Sequence, residues 1–359
     1  MKKENILLYG ANGYTGRLIA HLNAAYRLPL ILAGRNEVAL QALAAETGYP
    51  YRVAHLSNTG ALHALLQDVA VVVHAAGPFA QTAQPMVAAC LATGTHYVDI
   101  NGDINVFEEV QRSNDAAMRQ HIMLLPGAGF DVVPTDCIAL QLKQQLPDAT
   151  HLQLAFVTEG GRISHGTATT LLSKLGHGGA ERKNGQIVPV PLGAHALWLQ
   201  VNGKKRLVAS IPWGDVSTAW YTTGIPNICT YTGMPPQLYP LLQWQRLFNP
   251  ILRTQTVRSL LQRRIDAAPA GPTDAERARA RTYVWARVRN AAGQTKTASF
   301  QCADGYTFTA HSCLQIAQLI VEGRWKPGFQ TPAAVYGADF VWKVPGTTAA
   351  EVLLLQEHR

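Results

Sequence analysis

Asn5-Ile-Leu-Leu-Tyr9, then Gly10-Ala-Asn12-Gly13-Tyr14-Thr15-Gly16, a helical stretch to about Ala25, and Leu30-Ile-Leu-Ala33 running into Gly34-Arg35-Asn36: this opening segment decides the fold. An apolar run, a glycine turn, a helix and a second apolar run are the parts of a β-α-β unit. The glycines stand as G-x-x-G-x-x-G rather than the commoner G-x-G-x-x-G. Their place between a strand and a helix still marks them as a turn over which a pyrophosphate approaches the backbone. Gly10, Asn12, Gly13, Tyr14, Thr15 and Gly16 are the candidate dinucleotide-binding residues.

The end of the second apolar run selects the nucleotide. An acid there suits ribose hydroxyls, whereas an arginine suits a 2′-phosphate. Arg35 occupies that place, and its guanidinium offers a planar fork to phosphate oxygens. NADP is therefore expected over NAD.

The 359 residues predict two domains. With 47% hydrophobic and 15% charged residues the chain is of globular composition. The net charge of +8 is spread along the sequence without a Lys/Arg block, so no nucleic-acid partner is expected. Cys90, Cys137, Cys229, Cys302 and Cys313 are odd in number and far apart, with no C-x-x-C or H-E-x-x-H pattern. Neither a disulfide framework nor a metal site is expected, and the plain reading is free thiols in the cytoplasm. Nothing in the sequence predicts the oligomeric state.

Up to about residue 130 the pattern alternates strand and helix. The expected strands include Val69–Val73 continuing through His74, His96–Val98 and Ile122–Leu125; the expected helices include Thr82–Thr93 and Ile104–Arg119. Such alternation predicts a doubly wound parallel sheet of Rossmann type. From Thr135 a helix to about Leu146 leads into an alternating strand at His151–Val157. Hairpin signals follow at Asn184-Gly185, Asn202-Gly203 and Ala292-Gly293. These predict a second α+β domain with a mixed or antiparallel sheet. The expected boundaries are 1–130 for the nucleotide domain, 131–305 for the substrate domain, and 306–359 for a C-terminal helix and tail returning to the first domain.

Five patches together resemble the saccharopine dehydrogenase-like oxidoreductases: Gly10–Gly16, Ala33-Gly-Arg35, Ala76-Gly77-Pro78-Phe79, His96–Asp103 and Gly127–Asp136. The resemblance is dense over the first 136 residues and thins beyond them. His165-Gly-Thr167 resembles a helix-starting turn of the family, and Gly271-Pro272 with Arg277 and Arg281 resembles the branch of trans-acting enoyl reductases. It implies NADP-dependent oxidoreduction of a small molecule, enoyl or acyl or amino-acid derived, in a cleft between the domains. The other class is a non-catalytic NADPH-binding sensor or scaffold.

Ala76, Gly77, Pro78 and Phe79 close the fourth strand at the carboxyl edge of the sheet, where cofactors bind such folds. They join the candidate cofactor set. Candidate proton donors stand at the ends of the next strands: Tyr97, Asp99, Asn101, Asp103, Asp131, Thr135 and Asp136, each of which can also be a cap or a packed side chain. Asp99, Asp131 and His165 are taken as the catalytic candidates. The Tyr-x-x-x-Lys pair of short-chain dehydrogenases is absent from the sequence.

Gln237–Ile265 carries arginines at 246, 253, 258, 263 and 264 beside large apolar residues, including Leu241, Trp244, Leu247 and Phe248. A hydrophobic helix packed beneath the cleft, broken by Pro240 and Pro250, is the expected arrangement. A helix lying in a membrane interface is the alternative, not favoured by the sequence.

Overall fold

A computed structural model describes residues 3–358; within the helix at Tyr239–Leu252 the side chains of residues 243 and 245–247, hence Arg246 and Leu247, lie outside the described ones. The chain divides into two compact units, residues 1–133 with 305–337, and residues 134–304 with 338–359.

The first unit alternates β1 (Asn5–Tyr9), α1 (Tyr14–Tyr26), β2 (Leu30–Gly34), α2 (Glu37–Thr47), β3 (Tyr51–Val53), α3 (Thr59–Leu66), β4 (Val69–His74), α4 (Phe79–Thr93), β5 (His96–Asp99), α5 (Ile104–Gln111), α6 (Asn114–Gln120) and β6 (Met123–Leu125). Its sheet runs 3-2-1-4-5-6 and is extended beside β6 by a short strand at Gly328–Phe329; every pairing is parallel. β1, β2 and β4 read as near-continuous apolar runs because helices cover both faces. Chain order reverses between β1 and β4, which opens a crevice at their carboxyl ends. The helix expected over Ile104–Arg119 is two helices: α5 ends at Gln111, and Asn114 of α6 accepts the Phe329 N–H at 2.9 Å.

The second unit begins with α7 (Val133–Gln145), whose first residue still belongs to the first unit. It continues through β7 (Ala149–Glu159), α8 (His165–Lys174), β8 (Gly179–Lys183), β9 (Gln186–Val190), β10 (Ala196–Val201), β11 (Lys204–Ser210), α9 (Asp215–Thr223), β12 (Asn227–Met234), α10 (Tyr239–Leu252), α11 (Gln255–Asp266), α12 (Asp274–Arg279), β13 (Arg281–Asn290) and β14 (Thr295–Cys302). Its ten-stranded sheet is mixed: β7 and β12 pair in parallel while the hairpins β8–β9, β10–β11 and β13–β14 are antiparallel. Asn184-Gly185 and Asn202-Gly203 have positive φ at both residues, the backbone that two-residue hairpin turns require. The residues 306–359 do not stay together. Gly305–Val321 forms a long helix, α13, within the first unit, whereas Val352–His358 adds an edge strand beside β10, because its backbone pairs with Ala196–Val201.

Pro240 and Pro250 do not break the arginine-rich segment. Pro240 sits in the first turn of α10, where no N–H is needed, and Pro250 is accommodated just before the helix ends at Leu252; the break is at Arg253-Thr254. Among the described residues no helix is long and apolar enough to cross a membrane.

Candidate functional site

The turn after β1 is closed by two glycines that tolerate nothing larger. Gly10 has φ +87°, and a Cβ there would lie 2.7 Å from the Ala76 backbone nitrogen; at Gly16 it would lie 2.3 Å from the Gly10 carbonyl oxygen. The first contact brings the turns after β1 and β4 together at the switch point. The second lets α1 start close under the strand. Gly13 differs: its φ is ordinary, and a Cβ would meet only the Gly10 carbonyl oxygen, at 3.3 Å. As N-cap of α1 it supplies no side-chain cap, and the first turn (Tyr14, Thr15, Gly16) holds no acid. A helix N-terminus without its own cap or carboxylate favours an external anion.

Asn12 lies over the end of β2, its Oδ1 3.2 Å from where a Cβ of Gly34 would stand. Arg35 follows, exposed, and makes no ion pair among the described residues. Its neighbour Asn36 caps α2 by accepting the Ala39 N–H at 3.1 Å. The local backbone is thus anchored beside a guanidinium that remains available.

Ala76–Phe79 forms the opposing wall, with a cis peptide between Gly77 and Pro78. Phe79 opens α4, three residues before the expected helix start, and its ring stands edge-on to His74 at 5.5 Å. His74 has no solvent exposure and sits among the rings of Tyr9, Phe79 and Tyr97; burial pushes its pKa down to about 3. The Thr82 hydroxyl donates to the Ala76 carbonyl at 2.6 Å, so His74 Nε2 carries its hydrogen and donates to Thr82 Oγ1 at 3.1 Å. This histidine, absent from the sequence candidates, braces the Ala76 turn. Its only sequence signal is a polar residue closing an apolar strand.

The acidic candidates separate by environment. Asp99 is fully buried at the end of β5. It accepts from Tyr97 Oη at 2.7 Å, Asn101 Nδ2 at 2.8 Å, the Asn101 N–H at 3.0 Å and the Gly127 N–H at 2.9 Å. Burial pushes its pKa up, and these donors oppose the shift. Asp99 therefore fastens the turn after β5 to the turn after β6. Asp103 caps α5 through the Asn105 N–H at 2.9 Å. Asp136 accepts the Thr222 hydroxyl within the second unit, and Thr135 is buried beside it in α7. Asp131 differs from Asp99 and Asp136 in burial: between Ile122 and Ala139 it alone is not buried. Its carboxylate lies over Gly102, where a Cβ would come within 2.4 Å of Oδ2.

Helix α13 supplies partners that sequence reading missed. Thr309 Oγ1 accepts the Phe130 N–H at 2.9 Å, Ser312 donates to the Ala128 carbonyl at 2.6 Å, and Tyr306 meets the Tyr14 ring edge-on at 5.0 Å. These residues lie far from the glycine turn in sequence, and no motif announces them.

His165 belongs to the second unit. Its Nε2 is 2.9 Å from Asp266 Oδ1, and its backbone N–H donates to the Ala270 carbonyl at 2.9 Å. Ser164 caps α8 by accepting the Thr167 N–H at 3.3 Å. The start of α8 is thus already served by its own side chain and loop.

Residues 6–125 match the family described as the saccharopine dehydrogenase NADP binding domain. The chain is 35% identical over 156 residues to a trans-acting enoyl reductase of Mycobacterium leprae, covering 40% of this chain and 37% of that protein. It is 25% identical over 218 residues to a saccharopine dehydrogenase-like oxidoreductase of Mus musculus, covering 52% and 50%. The match thus spans half or less of the length of these relatives. Among solved structures, apo saccharopine dehydrogenase (L-Glu forming) of Saccharomyces cerevisiae superposes with a TM-score of 0.68 at 15% identity, over 98% of this chain and 100% of that one. Homospermidine synthase of Legionella pneumophila in complex with NAD gives 0.62 at 10% identity, over 98% and 92%. Residues 6–125 are thus similar to the saccharopine dehydrogenase NADP binding domain, and the chain as a whole has the fold of saccharopine dehydrogenase.

Proposed function

We propose that this chain is an NADPH-dependent oxidoreductase acting on a small enoyl, acyl or amino-acid-derived substrate. The observation that carries the reading is the switch point. There Gly10 is pressed against the Ala76 turn, Gly13 is left open at an uncapped helix N-terminus, and an unpaired Arg35 stands at the end of β2. The residues suit the cofactor: Gly10–Gly16 and the first turn of α1 would receive the pyrophosphate, and Arg35 the 2′-phosphate. The Ala76–Phe79 turn would face the nicotinamide ribose.

When bound, NADPH supplies a hydride, and the chain must orient the acceptor and manage a proton. Asp131 is the residue to which we assign the proton, since it is partly exposed beside Gly102 where Asp99 and Asp136 are fully buried. Asp99, with Tyr97 and Asn101, acts as a positioning residue that holds the two turns bearing Gly102 and Asp131. Tying up Asp99, Asp103 and Asp136 in structural bonds is the feature that favours the sensor reading, in which NADPH binds without turnover.

NADPH deuterated at the nicotinamide C4, offered with enoyl thioesters, carbonyl compounds and imino acids, separates the two. Label should appear in at least one product, and Asp131→Asn should slow transfer by about a hundred-fold, within the range for a lost acid or base, while leaving NADPH affinity unchanged. Tight binding with no label transferred to any class would leave the sensor.

A further inference from the structure

Helix α10 docks on its own unit through a narrow contact. Tyr239 is buried among Ala196, Leu207 and Ala209 and donates to the Gly193 carbonyl at 3.0 Å, and Leu242 packs beside it. Four apolar residues along it are more than half exposed: Leu241 is 67% exposed, Trp244 63%, Phe248 53% and Ile251 58%. At 100° per residue these four fall within an arc of about 80° along a helix about 21 Å long. Single exposed apolar residues are ordinary, but a ridge containing Trp and Phe along one helix face is not.

The sequence that carries the ridge holds charge of one sign. Between Asp215 and Asp266 the sequence holds five arginines and no acidic residue. Arg253 and Arg258 bind the Gly176 and Leu175 carbonyls at the end of α8, at 2.8 and 3.3 Å, which clamps α11 against it. Arg263 and Arg264 are exposed and make no ion pair among the described residues. Asp266, the first acid beyond them, is engaged by Gln262 and His165.

We propose that α10 and α11 dock this chain on an anionic lipid bilayer, with the Leu241–Trp244–Phe248–Ile251 ridge among the acyl chains and Arg263 and Arg264 at the head groups. The helix is too short to span and has the aromatic and apolar face of an interfacial helix. The cations and the lack of acids match a negative surface, to which each Lys or Arg near the membrane adds attraction. This packing reverses the expectation of a helix buried by apolar neighbours. The inference rests on the second unit alone and is independent of the redox reading.

Co-sedimentation of the full chain with phosphatidylglycerol–phosphatidylcholine vesicles tests it. The protein should pellet with these vesicles at low salt and stay in solution with phosphatidylcholine alone. About 1 M salt should release most of it, since screening then acts within about 3 Å. Leu241→Ser/Trp244→Ser/Phe248→Ser should lower partitioning at least about ten-fold while NADPH affinity is retained. Should that variant not fold, Trp244→Phe should abolish a component of fluorescence quenching by brominated lipid seen in the unaltered chain. Protein left in the supernatant at low salt overturns the proposal. So does a serine variant that binds vesicles as before, or one whose sole effect is to abolish self-association, which would make the ridge a contact between copies.

Discussion

Two helix starts in this molecule look alike in sequence and differ in what they leave open. α1 begins at Gly13 with no side-chain cap, and α8 begins at Ser164, whose hydroxyl takes the Thr167 N–H. Each follows a strand through a glycine-containing turn. A serine cap contributes about 1 kcal/mol to its own helix and thereby spends the donor that an anion would need. A glycine cap gives up only a few tenths of a kcal/mol and leaves the first N–H groups without a side-chain acceptor. The difference teaches that an anion site is read from what the cap does not do, as much as from the glycines.

The largest effect expected follows from this contrast. Gly13→Val should abolish NADPH binding in a chain that still folds, with unchanged circular dichroism and a melting temperature lowered by a few degrees at most, because on the proposed reading the side chain would stand where the pyrophosphate lies. Gly16→Ala, with its Cβ 2.3 Å from the Gly10 carbonyl oxygen, should instead destabilise the fold along with binding. Ser164→Gly should leave NADPH binding as it was. Binding retained by a folded Gly13→Val chain would erase the distinction between the two helix starts.

Much of the first unit was legible because few side chains satisfy its constraints. Buried parallel strands need apolar runs such as Val69–Val73, and a backbone pressed against Ala76 needs glycine at Gly10. Hairpins in the second unit were equally legible from Asn-Gly pairs, whose positive φ few other residues accept. What escaped was whatever depends on distant partners. Nothing local says that Asp99 is buried and bound by Tyr97, Asn101 and Gly127 while Asp131 stays partly exposed. Nor does anything local say that Thr309 and Ser312 hold the Ala128–Phe130 turn. The exposed face of α10 could not be read either, since the same i, i+3, i+7 spacing describes a packed helix and an unpacked one.

A smaller effect, on stability, sharpens the comparison between the units. Burial holds the pKa of His74 near 3, below the roughly 6.5 of an unfolded histidine. Between these values the unfolded chain takes up the proton and the folded chain does not, so stability rises with pH across the window and falls on acidification. None of the histidines of the second unit is buried among the described residues; His165 and His195 face Asp266 and Glu181. Hydrogen exchange read peptide by peptide should show the first unit losing protection ahead of the second as pH falls from about 7 to about 5. His74→Phe should lessen that dependence, the remainder coming from His96, whose pKa burial lowers to about 4, and from His311, lowered likewise. Simultaneous loss in both units, unchanged by the substitution, would refute it.

The central claim is that the first unit is built to hold NADP, and the most direct measurement is calorimetric titration of NADPH and NADH onto the chain and onto Arg35→Ala. A charge-assisted contact is worth about 1.5–3 kcal/mol, so the unaltered chain should bind NADPH at least about ten-fold more tightly than NADH. Arg35→Ala should remove that preference and leave NADH binding nearly unchanged. Equal affinities for the two cofactors, or equal losses in the variant, would contradict the account.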